Sequence, residues 1–302
     1  MINIVYEEYS EKYENEVINL LNICFKGKNI NKNSFEWKHI DNYFQGRQKS
    51  MIAIDHQKVV AFVCFDPLNI KNKENNYLFY SCSVQATHPD YRRRGIVSDL
   101  TQIIEISLPK DTNYLGFSNI SGVKIDLHSK RINYQILGQM ITRYMISLPR
   151  YNGVSVNEVF ALNYKILSVN KSQKYELYKN TDYLDWRFYR NPKIKFIFLE
   201  ITKKGKIIGN AVIRNSFFKC ELLCILPLTL ELLSDCIKSI KSYAFNKGCL
   251  VTSFTYLPNN VWNKFLPKYF FQRNSGVYFT VKTNVKSLLN SENWMIQGGD
   301  IQ

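Results

Sequence analysis

The run Arg92-Arg93-Arg94-Gly95 stands where a strand-like stretch gives way to an amphipathic helix, and that placement lends it a chemistry. Residues Tyr77 to Ala86 are aromatic, β-branched or small, as a buried strand requires, and His88-Pro89-Asp90 ends them because proline has no N–H for the ladder. Beyond the glycine, Ile96, Leu100, Ile103 and Ile104 recur at helical spacing. The first N–H groups of such a helix lack intrahelical partners and carry the positive end of its dipole, so they converge on an anion. Gly95 permits close backbone approach and three guanidinium groups suit phosphate oxygens, which together favour a pyrophosphate. The plainer alternative for the same residues is a solvated basic turn.

The segment THPDYRRRGIVSDL resembles the coenzyme A loop of the GNAT acyltransferase superfamily, Arg/Gln-x-x-Gly-x-Gly/Ala at a strand-to-helix turn. On that pattern Arg92 takes the Arg/Gln place, Gly95 the first glycine, and Val97 departs from the second small residue. The resemblance implies that the turn Arg92, Arg93, Arg94, Gly95, Ile96, Val97 and Ser98 holds the pyrophosphate of acyl-CoA. It implies also that Gln85, Ala86 and Thr87 flank the pantetheine arm. Asn119, at the end of GFSN, stands where the family contacts the pantetheine amide; its other reading is a turn or helix cap.

Acyl transfer from a thioester to an amine needs a base for the ammonium and an acid for the leaving thiolate. The family's usual carboxylate is missing from Tyr80 to Gln85. If Ser129-Lys130-Arg131-Ile132-Asn133-Tyr134 aligns with the family's Tyr-x-x-x-Gly-Phe, Ser129 replaces the tyrosine, and Asn133 replaces the glycine in a turn that asparagine also tolerates. Two substitutes remain as catalytic candidates. His128 has an ordinary pKa of about 6.5, near neutrality, and Glu36 lies beside Trp37 in the helix expected to face the acceptor. Positioning alone, with water taking the proton, is the third possibility.

The elements that must position these residues are legible in order. Ile2 to Tyr6 reads as a strand, and Val17, Leu20, Leu21, Cys24 and Phe25 mark an amphipathic helix stopped by Gly27. A short helix starts at Ser34. Lys49 to Asp55 and Lys58 to Phe65 form a hairpin ended by Pro67. After the loop and its helix come a strand from Asn113 to Ser118, a helix from Gly122 to Arg131 and a strand from Tyr134 to Met145.

Leu148 to Gly153 reads as a linker, beyond which the chain starts again. SFEWKHIDNYFQGRQKSMIAIDHQKVVAFVCF parallels YLDWRFYRNPKIKFIFLEITKKGKIIGNAVIR, with Trp37 matching Trp186, Lys38 matching Arg187, Asn42 matching Asn191, and Val59-Val60-Ala61 matching Ile207-Ile208-Gly209. The second copy continues as a strand from Phe218 to Ile225, a helix from Thr229 to Asn246, a strand from Cys249 to Tyr256, a short helix from Val261 to Leu266 and a strand from Val277 to Lys282. In place of the basic loop stands CILPLTLELL, without arginine or glycine, so only the first half is expected to bind CoA. The second half would shape the acceptor pocket or cover the first sheet's open edge. A tail with tryptophan followed by Gly-Asp is similar to those of two-unit bacterial GNAT-like proteins. Trp294 is expected to anchor it, and an acceptor-site role for Asp300 is the lesser reading.

The totals bound the class. The chain has 302 residues, 45% of them hydrophobic and 14% aromatic, enough to bury a core through two units. No run approaches the roughly 18 apolar residues of a membrane span, and Glu7, Glu8 and Glu11 stand where a signal peptide would be apolar, so a cytoplasmic location is expected. Seven cysteines without CxxC spacing and only four histidines point to free thiols and no metal. A net charge of +15 suits nucleic acid, an anionic surface or polyanionic small molecules such as CoA, and does not choose among them. The expectation is an α/β (α+β) chain of GNAT fold, a mixed central sheet flanked by helices, duplicated. It divides into an acyltransferase unit with the CoA loop (1–148), a linker (149–156) and a degenerate second unit with the tail (157–302). The function expected is N-acyl transfer from acetyl-CoA, or another acyl-CoA, to a small-molecule amine such as an amino sugar or its nucleotide conjugate. The alternative is a non-catalytic GNAT-like scaffold or a nucleic-acid-binding protein.

Overall fold

Strand and helix follow the hydrophobic period through the first hundred residues. In this computed structural model, which describes residues 3–41, 43, 47–119, 134–149, 153–160, 162, 174–266 and 271–300, the chain opens with β1 (Ile4–Glu8), α1 (Glu14–Cys24) and α2 (Lys32–His39). Asn31 caps α2: its side chain accepts from Ser34 N at 2.9 Å while Asn31 N donates to Ser34 Oγ. Next come β2 (Lys49–Asp55), β3 (Lys58–Lys71), β4 (Asn76–Thr87), α3 (Ile96–Ser107), β5 (Asn113–Asn119) and β6 (Gln135–Ile146). Pro67 does not end β3, which continues to Lys71. Its pairing with β2 stops at Phe65, so a missing N–H at Pro67 leaves no bond unmade on that side. The helix expected from Gly122 to Arg131 lies outside the described residues.

The second half holds β7 (Val154–Val159), which starts inside the stretch read as a linker, and β8 (Glu176–Leu177), which pairs with β3. Then follow α4 (Thr181–Leu184) running into a π-helical turn at Asp185–Tyr189, β9 (Ile197–Lys203), β10 (Lys206–Ser216), β11 (Lys219–Pro227), α5 (Leu233–Asn246), β12 (Val251–Tyr256), α6 (Asn260–Phe265) and β13 (Phe271–Lys282). Twelve of these strands form one sheet in the order β1-β2-β3-β4-β5-β13-β6-β12-β11-β10-β9-β7. The halves interlock at its centre. β13 lies between β5 and β6, antiparallel to both, while β6 pairs with β12 of the second half. Each half thus supplies a strand that completes the other: β13 covers β5, the edge the first half leaves open, and one sheet runs through both halves.

The duplication read from the sequence is visible in detail. Val60 bulges out of β3 opposite β2, and its match Ile208 bulges out of β10 opposite β9. Trp37 and Trp186 meet reciprocally: their rings stack 5.4 Å apart, Trp37 Nε1 donates to Trp186 O at 2.9 Å, and Trp186 Nε1 donates to Trp37 O at 2.8 Å. Replacing Trp37 by phenylalanine keeps the stack and leaves a buried carbonyl without its donor. The expected cost is about 1–3 kcal/mol, read from urea denaturation.

The core follows the sheet's faces. α1 and α2 cover one face of the first unit through Val17, Leu20, Leu21 and Phe35 against Phe62 and Cys64 of β3. α3 covers the other through Ile96, Leu100 and Ile104 against Val63, Phe65 and Tyr80. Among the described residues no helix is long and apolar enough to cross a membrane, and all seven cysteines are free thiols.

Candidate active site

Two strand geometries build the site. β4 runs parallel to β5 only from Phe79 to Ser81, opposite Asn113 to Leu115, and beyond that the two strands part. At the parting β4 bulges: Cys64 faces Val84 and Phe65 faces Cys82, so Ser83 is the extra residue. A bulge leaves its extra residue unpaired and disrupts the ladder locally. The opening leads along Gln85, Ala86 and Thr87 to the basic turn.

That turn is shaped for an anion. Arg93 and Gly95 both have left-handed backbone, φ 63° and 79°, an alternation that gathers successive N–H groups into a concavity. Gly95 is the N-cap of α3, and the helix's first bond runs from Asp99 N to Gly95 O, so Ile96, Val97 and Ser98 present N–H groups without helical acceptors. Val97, the departure from the family pattern, packs its side chain against the core under α3 and keeps its N–H at the helix start. The arginines divide their work. Arg92 Nε donates to Thr87 O at 3.3 Å, and Arg94 donates to Asp90 O at 2.8 Å beside the Tyr91 ring. Arg93 is exposed and has no side-chain partner among the described residues.

Hydroxyl–carboxylate bonds hold the turn in place. Tyr91 Oη donates to Asp55 Oδ2 at 2.7 Å, and that bond, more than any other influence, holds the Asp55 carboxyl below its ordinary range. Tyr6 Oη donates to Asp99 Oδ2 at 2.9 Å; burial first and the Asp99 carboxylate second push the phenol up to about 12. α1 reaches the same place through Cys24, whose thiol donates to Thr87 O at 3.2 Å.

Of the residues singled out in the sequence, Gln85 to Thr87 and Arg92 to Ser98 therefore lie along one path, from the parting of the strands to the start of α3. Asn119 ends β5 opposite Val277 of β13. Glu36 stands apart on α2, across the sheet from α3, where Lys32 bridges it at 3.5 Å and Glu14 at 3.0 Å. His128 lies outside the described residues. A second group was missed: Lys38 Nζ donates to Ser83 O, at the bulge, at 3.4 Å, and Asp66, 0% exposed on β3, accepts from Gln48 Nε2. The repeat offered the only sequence signal for it, since Lys38 is the basic residue after the shared tryptophan.

The second unit repeats this architecture with its opening filled. β11 pairs with β12 from Lys219 to Leu222 and bulges at Leu223, as β4 does at Ser83. Into the parting runs the C-terminal tail. Gln297 accepts from Ile225 N at 2.7 Å through Oε1 and donates to Ile225 O at 3.1 Å through Nε2, while Leu257 N donates to Ile296 O at 3.1 Å. Counted from the bulges and the parallel registers, Ile225 matches Gln85 and Leu257 matches Asn119. The tail fits because Gly299 has no side chain: a Cβ there would stand 2.9 Å from Leu223 O. An ion pair of Lys179 Nζ with Asp300 Oδ1, 2.8 Å and fully buried, closes the end. Asp300 Oδ2 also accepts from Gln297 N at 2.9 Å.

Comparison with known proteins agrees with this architecture. The acetyltransferase (GNAT) domain family matches residues 5–113. No curated protein sequence matches the chain. Among solved structures, a protein of Enterococcus faecalis V583 described as a "Probable N-Acyltransferase" superposes with a TM-score of 0.69 at 11% identity, covering 93% of this chain and 73% of its own. A tandem GNAT protein from the clavulanic acid biosynthesis pathway gives 0.58 at 9% identity, covering 93% and 98%. The N-myristoyltransferase of Saccharomyces cerevisiae, solved with bound myristoyl-CoA, gives 0.57 at 11% identity, covering 92% and 82%. At such identities the superpositions speak for the fold. Residues 5–113 thus match the acetyltransferase (GNAT) domain family, and the chain as a whole has the GNAT fold.

Proposed function

We propose that the chain is an acyl-CoA-dependent N-acyltransferase, transferring acetyl to the amine of a small molecule, with an amino sugar or a nucleotide-linked amino sugar as the class to test first. The division into a catalytic unit (1–148), a connecting stretch (149–156) and a second unit with the tail (157–302) belongs to the same proposal. In it the pyrophosphate rests on the N–H groups of Gly95 to Ser98 with Arg93 beside them, and the pantetheine arm lies between Gln85 and Asn119.

The observation that carries this reading is the filled twin. Between Ile225 and Leu257 the second unit holds an extended chain by a two-point amide contact and one backbone bond, and the matching positions of the first unit flank a parting that ends on an anion-binding turn. A pantetheine arm is likewise an extended chain carrying amides, with a pyrophosphate at its far end. The acceptor class rests on the positive charge of the chain, which favours anionic nucleotide conjugates.

The reading is tested by calorimetric titration with acetyl-CoA at low and moderate salt. The expected stoichiometry is one per chain, because the tail occupies the second opening and CILPLTLELL offers neither arginine nor glycine. Two equivalents, or none, would overturn the assignment. Screening amino sugars for thiol release then identifies the acceptor.

A further inference from the structure

We infer that Lys38, seated against the β4 bulge, exchanges protons with the acceptor amine, and that Asp66, linked to it through Gln48, is its positioning residue; the inference rests on the acyltransferase reading. The bulge is the place where β4 leaves β5, and so where a thioester at the end of the arm would stand. Lys38 Nζ lies 3.4 Å from Ser83 O, the carbonyl of the bulged residue. It arrives there from the capped helix α2, on the face of the sheet opposite α3.

The surroundings tune this amine. Gln48 ties the pair together, donating to Lys38 O at 3.4 Å and to Asp66 Oδ1. Burial draws the Lys38 ammonium below its ordinary range, with Arg187 and Lys28 pushing the same way. The Asp66 charge opposes them most strongly, and Cys64 adds to it in the same direction. Burial raises the Asp66 carboxyl, against the pull of Lys38. His39, buried next along α2, is held neutral by burial. The second unit cannot do the same chemistry. Its repeat places Arg187 at the position of Lys38, and the strand registers place Arg214 at that of Asp66. Arginine does not give up its proton in proteins.

The step balances as follows. The acceptor arrives as an ammonium, and neutral Lys38 takes one of its protons. The freed amine attacks the thioester carbon, forming the C–N bond; the C–S bond breaks, and the leaving sulphur takes the proton back from Lys38. The second nitrogen proton passes to solvent as the amide forms, and Lys38 ends neutral, as it began.

Competitive labelling of the whole protein with trace acetic anhydride across neutral and alkaline pH, read by peptide mass spectrometry, reports the titration of each lysine without an acceptor. Lys38 is expected to titrate below the surface lysines. D66N, which removes the charge that raises it, moves it lower still. Titration of Lys38 together with the surface lysines would overturn the inference. With an amino sugar that the wild type acetylates, K38M loses roughly 10²- to 10⁴-fold in kcat while acetyl-CoA affinity stays as it was. K38R fails likewise despite keeping the charge. Activity of the wild type rises as pH passes upward through the Lys38 pKa, and D66N shifts that rise to lower pH. K38M turning over normally with acetyl-CoA bound would sink this inference alone. A wild type that binds no acetyl-CoA would sink the acyltransferase reading instead.

Discussion

Glutamate in place of Gly95 is expected to abolish acetyl-CoA binding and to leave the fold standing. Two separable effects lead there. The position has φ 79°, left-handed backbone that costs an L-residue about 1–2 kcal/mol. Nothing stands within 4 Å of the place a Cβ would take, so that conformational penalty is the whole structural cost. The carboxylate, however, projects into the spot where Ile96, Val97 and Ser98 present their N–H groups, and there it competes with the pyrophosphate and repels it. Gly95→Ala separates the terms, carrying the strain without the charge: weaker binding than wild type, but binding. Calorimetry beside circular dichroism reads both variants. Unchanged affinity in the glutamate variant would remove the turn from the site, and loss of the folded spectrum would make Gly95 structural first.

Alanine at Trp294 costs about 3–5 kcal/mol of stability and is felt in both units. The side chain is 0% exposed. Its ring meets Phe79 of β4 at 5.9 Å, Phe279 of β13 at 5.0 Å and Tyr175 at 5.7 Å, and its Nε1 donates to Leu288 O at 2.9 Å. Phe79 lies where β4 still pairs with β5, just before the opening of the first unit. A cavity there is expected to loosen the candidate site as well as the seat of the tail. Urea unfolding is expected to remain a single transition at a lower midpoint, because β6 and β13 make the two halves one sheet. Two separated transitions, or a loss below about 1 kcal/mol, would show that the tail is an appendage and not part of the common core.

The basic turn, the helix it starts and the duplicated tryptophan were all legible in the sequence. The turn and helix start are written in contiguous residues: a proline that ends the strand, a glycine that takes left-handed backbone, and then an apolar period of helical spacing. Trp37 and Trp186 were legible as a repeat because each copy sits in the same local string, and their mutual hydrogen bonds explain why both halves carry the ring. Pro67 misled, since a proline ends a strand only where its missing N–H had a partner to serve. Glu36 drew notice by its proximity to Trp37 along the chain, yet a helix turns successive residues about 100° apart. Lys38, two positions further along α2, reaches the bulge.

By itself, then, the sequence determined the kind of fold, its repetition and the basic turn, because periodicity and turn chemistry are properties of neighbouring residues. Only the tertiary structure decided that β13 crosses into the first half, that Gln297 fills the second opening, and that Lys38, Asp66 and Ser83 meet at one bulge. A hydrophobic period tells which face of a strand is buried but not which strand lies beside it, and Lys38 and Ser83 are separated by 45 residues, Gln297 and Ile225 by 72. Such partners are chosen by the closing of the whole sheet, in which every strand's register depends on its neighbours'.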